Sequence, residues 1–332
     1  MLRRALASGS VVALALFLSG CPSEPATPPN VVLIVLDTVR ADHLGCYGYG
    51  KARTPVLDGL AAEGALFEDA ATASPLTLPS HATILSGLLP PRHGLRDNDT
   101  PRPLAPADRR TWRTVAERLR EAGWQTGAFL SGSPLSPRWG LDAGFDTYDP
   151  APEGEAGVLR LGEREGSETA GKALAWLGKR DRKRPFLLWV HLFDPHHPYA
   201  APGGAGHPPD SVEAYDEEVA HADRQVGRLL SLLREEGTLD RTVVMVCSDH
   251  GEGLGEHGES THGYFLHRST TRVPLLLRAP GRVEAGLRIP VPVSLADVAP
   301  TLLDIARHPS PAPLDGLSLL PLLSRRPAAA PP

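Results

Sequence analysis

Three apolar runs of six to eight residues, each leading into an aspartate, constrain this chain more than any other feature. "VVLIVL" runs into Asp37, "FLLWVHLF" into Asp194, and "TVVMVCS" into Asp249 and His250. None alternates polar with apolar residues, so each reads as a strand buried on both faces. Helical patterns separate them: "TPVLDGLAAEG", "TWRTVAERLREAG", "SETAGKALAWLGK" and the long "SVEAYDEEVAHADRQVGRLLSLLREEG", each ending near a glycine. Strands alternating with helices predict an α/β fold, a central mostly parallel sheet with helices on both faces. Such sheets bind ligands beyond the carboxyl ends of their strands. Asp37, Asp194, His196, Asp249 and His250 all fall at that edge.

The histidines point to the same edge. Seven of the 13 lie in two segments, "HLFDPHHPY" and "DHGEGLGEHGESTHGYFLH". A His-rich tract on its own is ordinary solvated loop. Two such tracts, each following a buried strand that ends in aspartate, predict a metal site. Mixed Asp and His ligands suit a divalent ion that polarises an ester oxygen.

The first 20 residues predict an export signal, with two arginines, a short apolar stretch and then small residues. "LSGC", ending at Cys21, resembles the lipobox of bacterial lipoproteins, which implies cleavage before Cys21, lipidation on it and a place in the cell envelope. Residues 21–30 read as a Pro-rich tether, 31–322 as one catalytic α/β domain, and 323–332 as a disordered tail. A net charge of −5 argues against nucleic acid as a partner. Beyond Cys21 only Cys46 and Cys247 remain, too few for a disulfide framework.

"SPLTLPSHATILSG" sets Thr77 between prolines at the start of a helical pattern. A threonine there either caps the helix or presents its hydroxyl as a nucleophile at an anion-binding helix end. The family context bears on that choice. "VLIVLDTVRADHLGCYGYG", "TLPSHATILSGLLPPRHG", "HLFDPHHPY", "SDHGEGLGEHGESTHG" and "TRVPLLLRAPG" resemble, in order, the signatures of the sulfatase family of the alkaline phosphatase superfamily. The resemblance implies an alkaline-phosphatase-like fold, with the C-terminal subdomain reduced in so short a chain. It implies that Asp37, Thr77, Asp249 and His250 hold one divalent metal ion, and that His196 and His262 face the substrate ester. Arg92 and His93 in "PPRHG" either lie near the substrate or belong to a solvated turn.

Two departures from the family pattern carry chemical consequences. The sulfatase nucleophile lies in Cys/Ser-x-Pro-x-Arg and is oxidised to formylglycine; here the window reads Thr77-Leu78-Pro79-Ser80-His81. Threonine cannot become formylglycine. It resembles instead the threonine nucleophile of superfamily phosphodiesterases and of phosphoethanolamine or phosphoglycerol transferases. Thr38 stands where many sulfatases carry a second aspartate, and His250 where many carry asparagine. That shift toward nitrogen favours zinc or manganese over calcium or magnesium. The expected activity is hydrolysis of a phosphate or sulfate ester of a small molecule, glycan or lipid through a covalent Thr77 ester. The alternatives are a transferase of the same superfamily and a binding lipoprotein that keeps the fold without the chemistry.

Overall fold

A computed structural model describes residues 28–98, 112–153, 162–310 and 313–323. The export signal, Cys21, all but three residues of the tether, and all but the first residue of the tail lie outside the described residues.

The main sheet has eight strands: β1 (Asn30–Leu36), β2 (Ala65–Phe67), β4 (Gln125–Leu130), β5 (Thr147–Asp149), β6 (Phe186–Leu192), β7 (Thr242–Ser248), β9 (Leu275–Arg278) and β10 (Leu287–Ile289). Their spatial order is β10-β2-β9-β7-β1-β6-β4-β5. The stretch from β7 through β5 is parallel, while β9 runs antiparallel to both β2 and β7. A three-stranded sheet joins β11 (Val293–Ser294), β3 (Ala70–Ala71) and β8 (Arg272–Val273).

The three apolar runs are the three central strands. On β1 all seven residues are buried, flanked by β6 and β7 in parallel register. Successive side chains of a strand point to opposite faces. Val31, Leu33 and Val35 therefore enter one core, and Val32, Ile34 and Leu36 the other. An uninterrupted apolar run is what a strand covered on both faces requires.

Helices cover both faces. One face carries α1 (Pro55–Glu63), α5 (Gly166–Lys179) and α6 (Val212–Glu235). In α6 the apolar residues Tyr215, Val219, Ala222, Val226, Leu229 and Leu233 recur at helical spacing and are buried. The other face carries α2 (Thr77–Ser86), α4 (Val115–Glu121) and α8 (Val298–Ile305), with the short α3 (Pro90–His93) beside α2 and α7 (Arg268–Thr271) before β8. Helix α4 starts four residues later than the run from Thr111 suggests. Thr114 and Glu117 form a reciprocal capping box that fixes the start. Cys46 and Cys247 are unbonded, the latter buried on β7. Among the described residues no helix is long and apolar enough to cross a membrane.

Candidate active site

The carboxyl ends of β1 and β7 lie side by side, and they bring Asp37 next to Asp249 and His250. All three are fully buried. His250 Nε2 lies 3.5 Å from Asp249 Oδ2 and 4.0 Å from Asp37 Oδ1. The other ring nitrogen, Nδ1, donates to the Gly251 carbonyl at 3.0 Å, so Nε2 keeps its lone pair for a ligand. Gly251 is required here, because a Cβ would lie 1.9 Å from the Ser269 carbonyl oxygen.

Thr38 sets the second aspartate. It adopts a left-handed backbone (φ 57°), a strained conformation for a β-branched residue. In that turn its amide donates to Asp249 Oδ1 at 3.3 Å and its hydroxyl donates to the Pro195 carbonyl at 2.6 Å. The Tyr215 hydroxyl donates to the Thr38 carbonyl at 2.9 Å, which locks the turn to α6.

Helix α2 delivers Thr77. The residue in the capping position is Leu76, and no side chain caps the helix. Thr77 is thus the first helical residue, which removes the capping reading: its Oγ1 is buried and has no well-aligned hydrogen-bond partner. It lies close enough to Asp37 to favour that carboxylate's charged form. Ser80 donates to the Asp249 carbonyl at 2.7 Å, fastening α2 against the end of β7.

Four atoms expected to face a metal, Asp37 Oδ1, Thr77 Oγ1, Asp249 Oδ2 and His250 Nε2, are all buried without a partner. Buried polar atoms are almost always paired, so four such atoms in one cluster form a donor set that a bound cation would satisfy. Burial, with repulsion from Asp249 and Glu252, drives the Asp37 carboxyl well above its usual range, and burial raises Asp249 as well. Burial also pushes His250 and His191 well down and holds His81 low. Two strained carboxylates and neutral imidazoles are a donor set that a divalent cation would complete.

His81 and His191 were not assigned roles from sequence, yet both enter this cluster with Asp249. His191 Nε2 donates to Asp37 Oδ2 at 3.0 Å. His81 Nδ1 donates to the Thr77 carbonyl at 2.8 Å and lies 3.5 Å from Asp249 Oδ2. The signal was available for His81, which holds the arginine position of the family motif. For His191 it was not, because nothing in a strand interior marks which face meets a carboxylate.

The expected substrate-facing histidines lie together at the mouth. The rings of His196 and His262 are 5.1 Å apart, and His262 sits 4.3 Å from His250. His196 stacks on Phe193 at 4.2 Å, and its Nδ1 donates to the His197 carbonyl at 2.7 Å. Burial and the neighbouring His262 push His196 down to about 3, so in the free site it is neutral with an unprotonated Nε2. His262 Nδ1 donates to the buried Glu252 at 2.9 Å. Glu252 was missed from sequence.

Asp194, at the same sheet edge, stays out of the cluster: its Oδ1 accepts from the Gly166 amide at 2.8 Å and the side chain turns toward α5 and α6. Arg92 pairs with Asp315 at 2.7 Å on the surface. His93 is buried against Thr83 at 3.1 Å. The last two fasten α3 and do not reach the site.

The sulfatase family profile matches residues 29–308. Human N-acetylgalactosamine-6-sulfatase is 30% identical over 356 residues, covering 92% of this chain and 67% of that protein. The arylsulfatase of Clostridium perfringens is 26% identical, covering 90% and 79%. Against rat arylsulfatase K the chain spans 64% of the relative's length. Among solved structures, the phosphonate monoester hydrolase of Agrobacterium radiobacter superposes with a TM-score of 0.73 at 24% identity, covering 89% of this chain and 77% of that one. A protein solved with its substrate D-glucosamine-2-N,6-O-disulfate superposes with a TM-score of 0.76 at 21% identity, covering 90% and 81%.

Proposed function

Because the chain belongs to the sulfatase family, we propose that it is a metal-dependent hydrolase of phosphoric or sulfuric esters, with phosphoryl-type esters preferred and Thr77 as nucleophile. The observation that carries this reading is the buried, unpartnered Thr77 hydroxyl among three equally unpartnered ligand atoms. Asp37, Asp249, His250 and the Thr77 oxygen would hold the ion, zinc or manganese suiting a set with imidazole better than calcium. When bound, it lowers the pKa of the Thr77 hydroxyl and polarises the ester oxygens.

Thr77, its hydroxyl proton released to solvent, attacks the phosphorus or sulfur through Oγ1, and the bond to the leaving oxygen breaks. His196 can gain a second proton only at Nε2, since its Nδ1–H is already donated to its neighbour's carbonyl. An anionic ester beside it raises its proton affinity, and the proton gained at Nε2 passes to the leaving oxygen. In the second half, neutral His196 takes a proton from the water that releases the acid from Thr77. His262, oriented by Glu252, faces the same ester. Preference for phosphoryl groups follows from chemistry: threonine cannot supply the formylglycine that sulfatases use.

A panel of aryl sulfate, aryl phosphate, phosphodiester and phosphonate monoester substrates tests this. The expected result is a higher kcat/KM for a phosphorus ester than for the sulfate. Clear preference for the aryl sulfate would overturn the Thr77 assignment. We further propose that Cys21 is the lipidated first residue of the mature protein, on the strength of "LSGC" after a short apolar stretch. Cys21→Ala should release soluble protein or leave an uncleaved precursor. Wild-type protein recovered unlipidated from the cytoplasm would refute the anchor.

A further inference from the structure

A second cavity of about 170 Å³ has His196 in its wall, and the rest of its lining is rich in acids. Asp194 and Glu218 line it from the end of β6 and from α6, and Glu163 and Glu165 line its rim. Glu218 is 4% exposed. Its Oε1 accepts from the Ala200 amide at 2.7 Å, and its Oε2 has no partner. Asp194 Oδ2 is likewise buried without a partner, its other oxygen being taken by Gly166.

The neighbouring basic groups reach this cluster only through His221, which lies beside Asp194 and Glu165. Arg164 lines the cavity, but its guanidinium is spent on Asp149, Thr169 and the Leu130 carbonyl. His221 Nε2 stays 3.6 Å from Asp194 Oδ1 and meets the Gln225 amide nitrogen at 3.1 Å. Burial and the repulsion of Asp194, Glu163 and Glu165 push the Glu218 carboxyl up to about 8. Two buried carboxylate oxygens without a donor, on residues that line one cavity, call for a cation.

The kind of cation follows from spacing and position. Among the described residues these carboxylates do not converge closely enough to form a metal-ligand set. An organic ammonium, whose three donors diverge, can reach several acids spread around a cavity at once. Phe193 and His196 stack together on the wall of this cavity. His196 is the residue proposed to protonate the leaving oxygen, so a group in this cavity belongs to the leaving alcohol.

We propose that this cavity binds the ammonium group of the substrate's leaving alcohol, so that the preferred substrates are esters of amino alcohols or amino sugars with a free amine near the ester oxygen. The assignment rests on the ester-hydrolase reading for its orientation. Matched probes test it: 2-aminoethyl phosphate and 2-hydroxyethyl phosphate, each titrated calorimetrically into the full-length metal-loaded protein, with turnover of aryl phosphate and phosphonate measured in parallel. The amine is expected to bind about tenfold tighter than the alcohol or better, the scale of a buried charge-assisted hydrogen bond. Glu218→Gln should bring that ratio close to one, and Asp194→Asn should do the same. Glu163→Gln, an exposed change with no risk to folding, should reduce it.

Equal affinity for the two probes in wild type would overturn the proposal, as would a ratio that survives both buried substitutions. Loss of the preference on adding millimolar calcium, with calcium binding that depends on Glu218, would also overturn it and assign the cavity to an inorganic cation. The two readings fail separately. A preserved amine preference without turnover of any ester defeats the hydrolase reading, and turnover without amine preference defeats this one.

Discussion

Thr77→Ala is expected to lower turnover of the best ester by about a thousandfold or more, the scale for removing a catalytic nucleophile. The folded protein should survive the change. Thr77 is not the helix cap, and its hydroxyl makes no well-aligned hydrogen bond that folding would miss. Removing an unpaired buried hydroxyl is neutral or slightly stabilising in metal-free protein. Thermal melting of the chelated variant should therefore match or exceed wild type, while steady-state kinetics show the loss. Thr77→Ser should retain part of the activity, because it keeps the oxygen and removes only a methyl group. A Thr77→Ala protein with near wild-type turnover would leave Thr77 without a chemical role.

The second large effect concerns the ion. Asp37→Asn and Asp249→Asn are each expected to reduce bound divalent metal from stoichiometric to a few per cent after gel filtration in metal-free buffer, read by elemental analysis. Each aspartate supplies one charged donor to a set of four atoms, and removing a charged donor leaves too little to hold a dication. The apo proteins should move the other way. Both carboxyls are held above their usual range by burial, so neutralising either one relieves a cost that the metal-free fold otherwise bears. His250→Ala should weaken retention without abolishing it. Full occupancy in the Asp37→Asn/Asp249→Asn double variant would show that the ion, if any, sits elsewhere.

Much of this site could be read from the chain because its parts sit where sequence pattern and position coincide. An apolar run buried on both faces can only be a central strand, so the residue that ends it, Asp37 or Asp249, lands on the ligand-binding edge. Asp194 shows the limit of that inference. It ends an equally good strand, but which way a strand-terminal side chain turns depends on its neighbours, and the Gly166 amide draws it away. Glu252 and His191 escaped notice for a related reason. Their roles are to orient His262 and Asp37, and such contacts are made across the fold with no spacing to betray them. The strained turn at Thr38 was equally hidden, since its only advertisement is a backbone angle. The pattern around Thr77 left a cap or a nucleophile open, and the helix start one residue earlier, with Leu76 in the cap position, lies within the ordinary uncertainty of helix ends.

The Thr77 hydroxyl is the centre of the account, and a trapped reaction tests it most directly. A phosphoryl-type substrate should be mixed with the metal-loaded protein, quenched in acid within the first turnovers, and the peptide carrying "SPLTLPSH" analysed by mass spectrometry. The account predicts an added phosphoryl or phosphonyl group localised to Thr77 and absent from Thr77→Ala treated identically. Active wild-type protein whose peptide stays unmodified through the pre-steady-state phase, with the group instead passing straight to water, would contradict it.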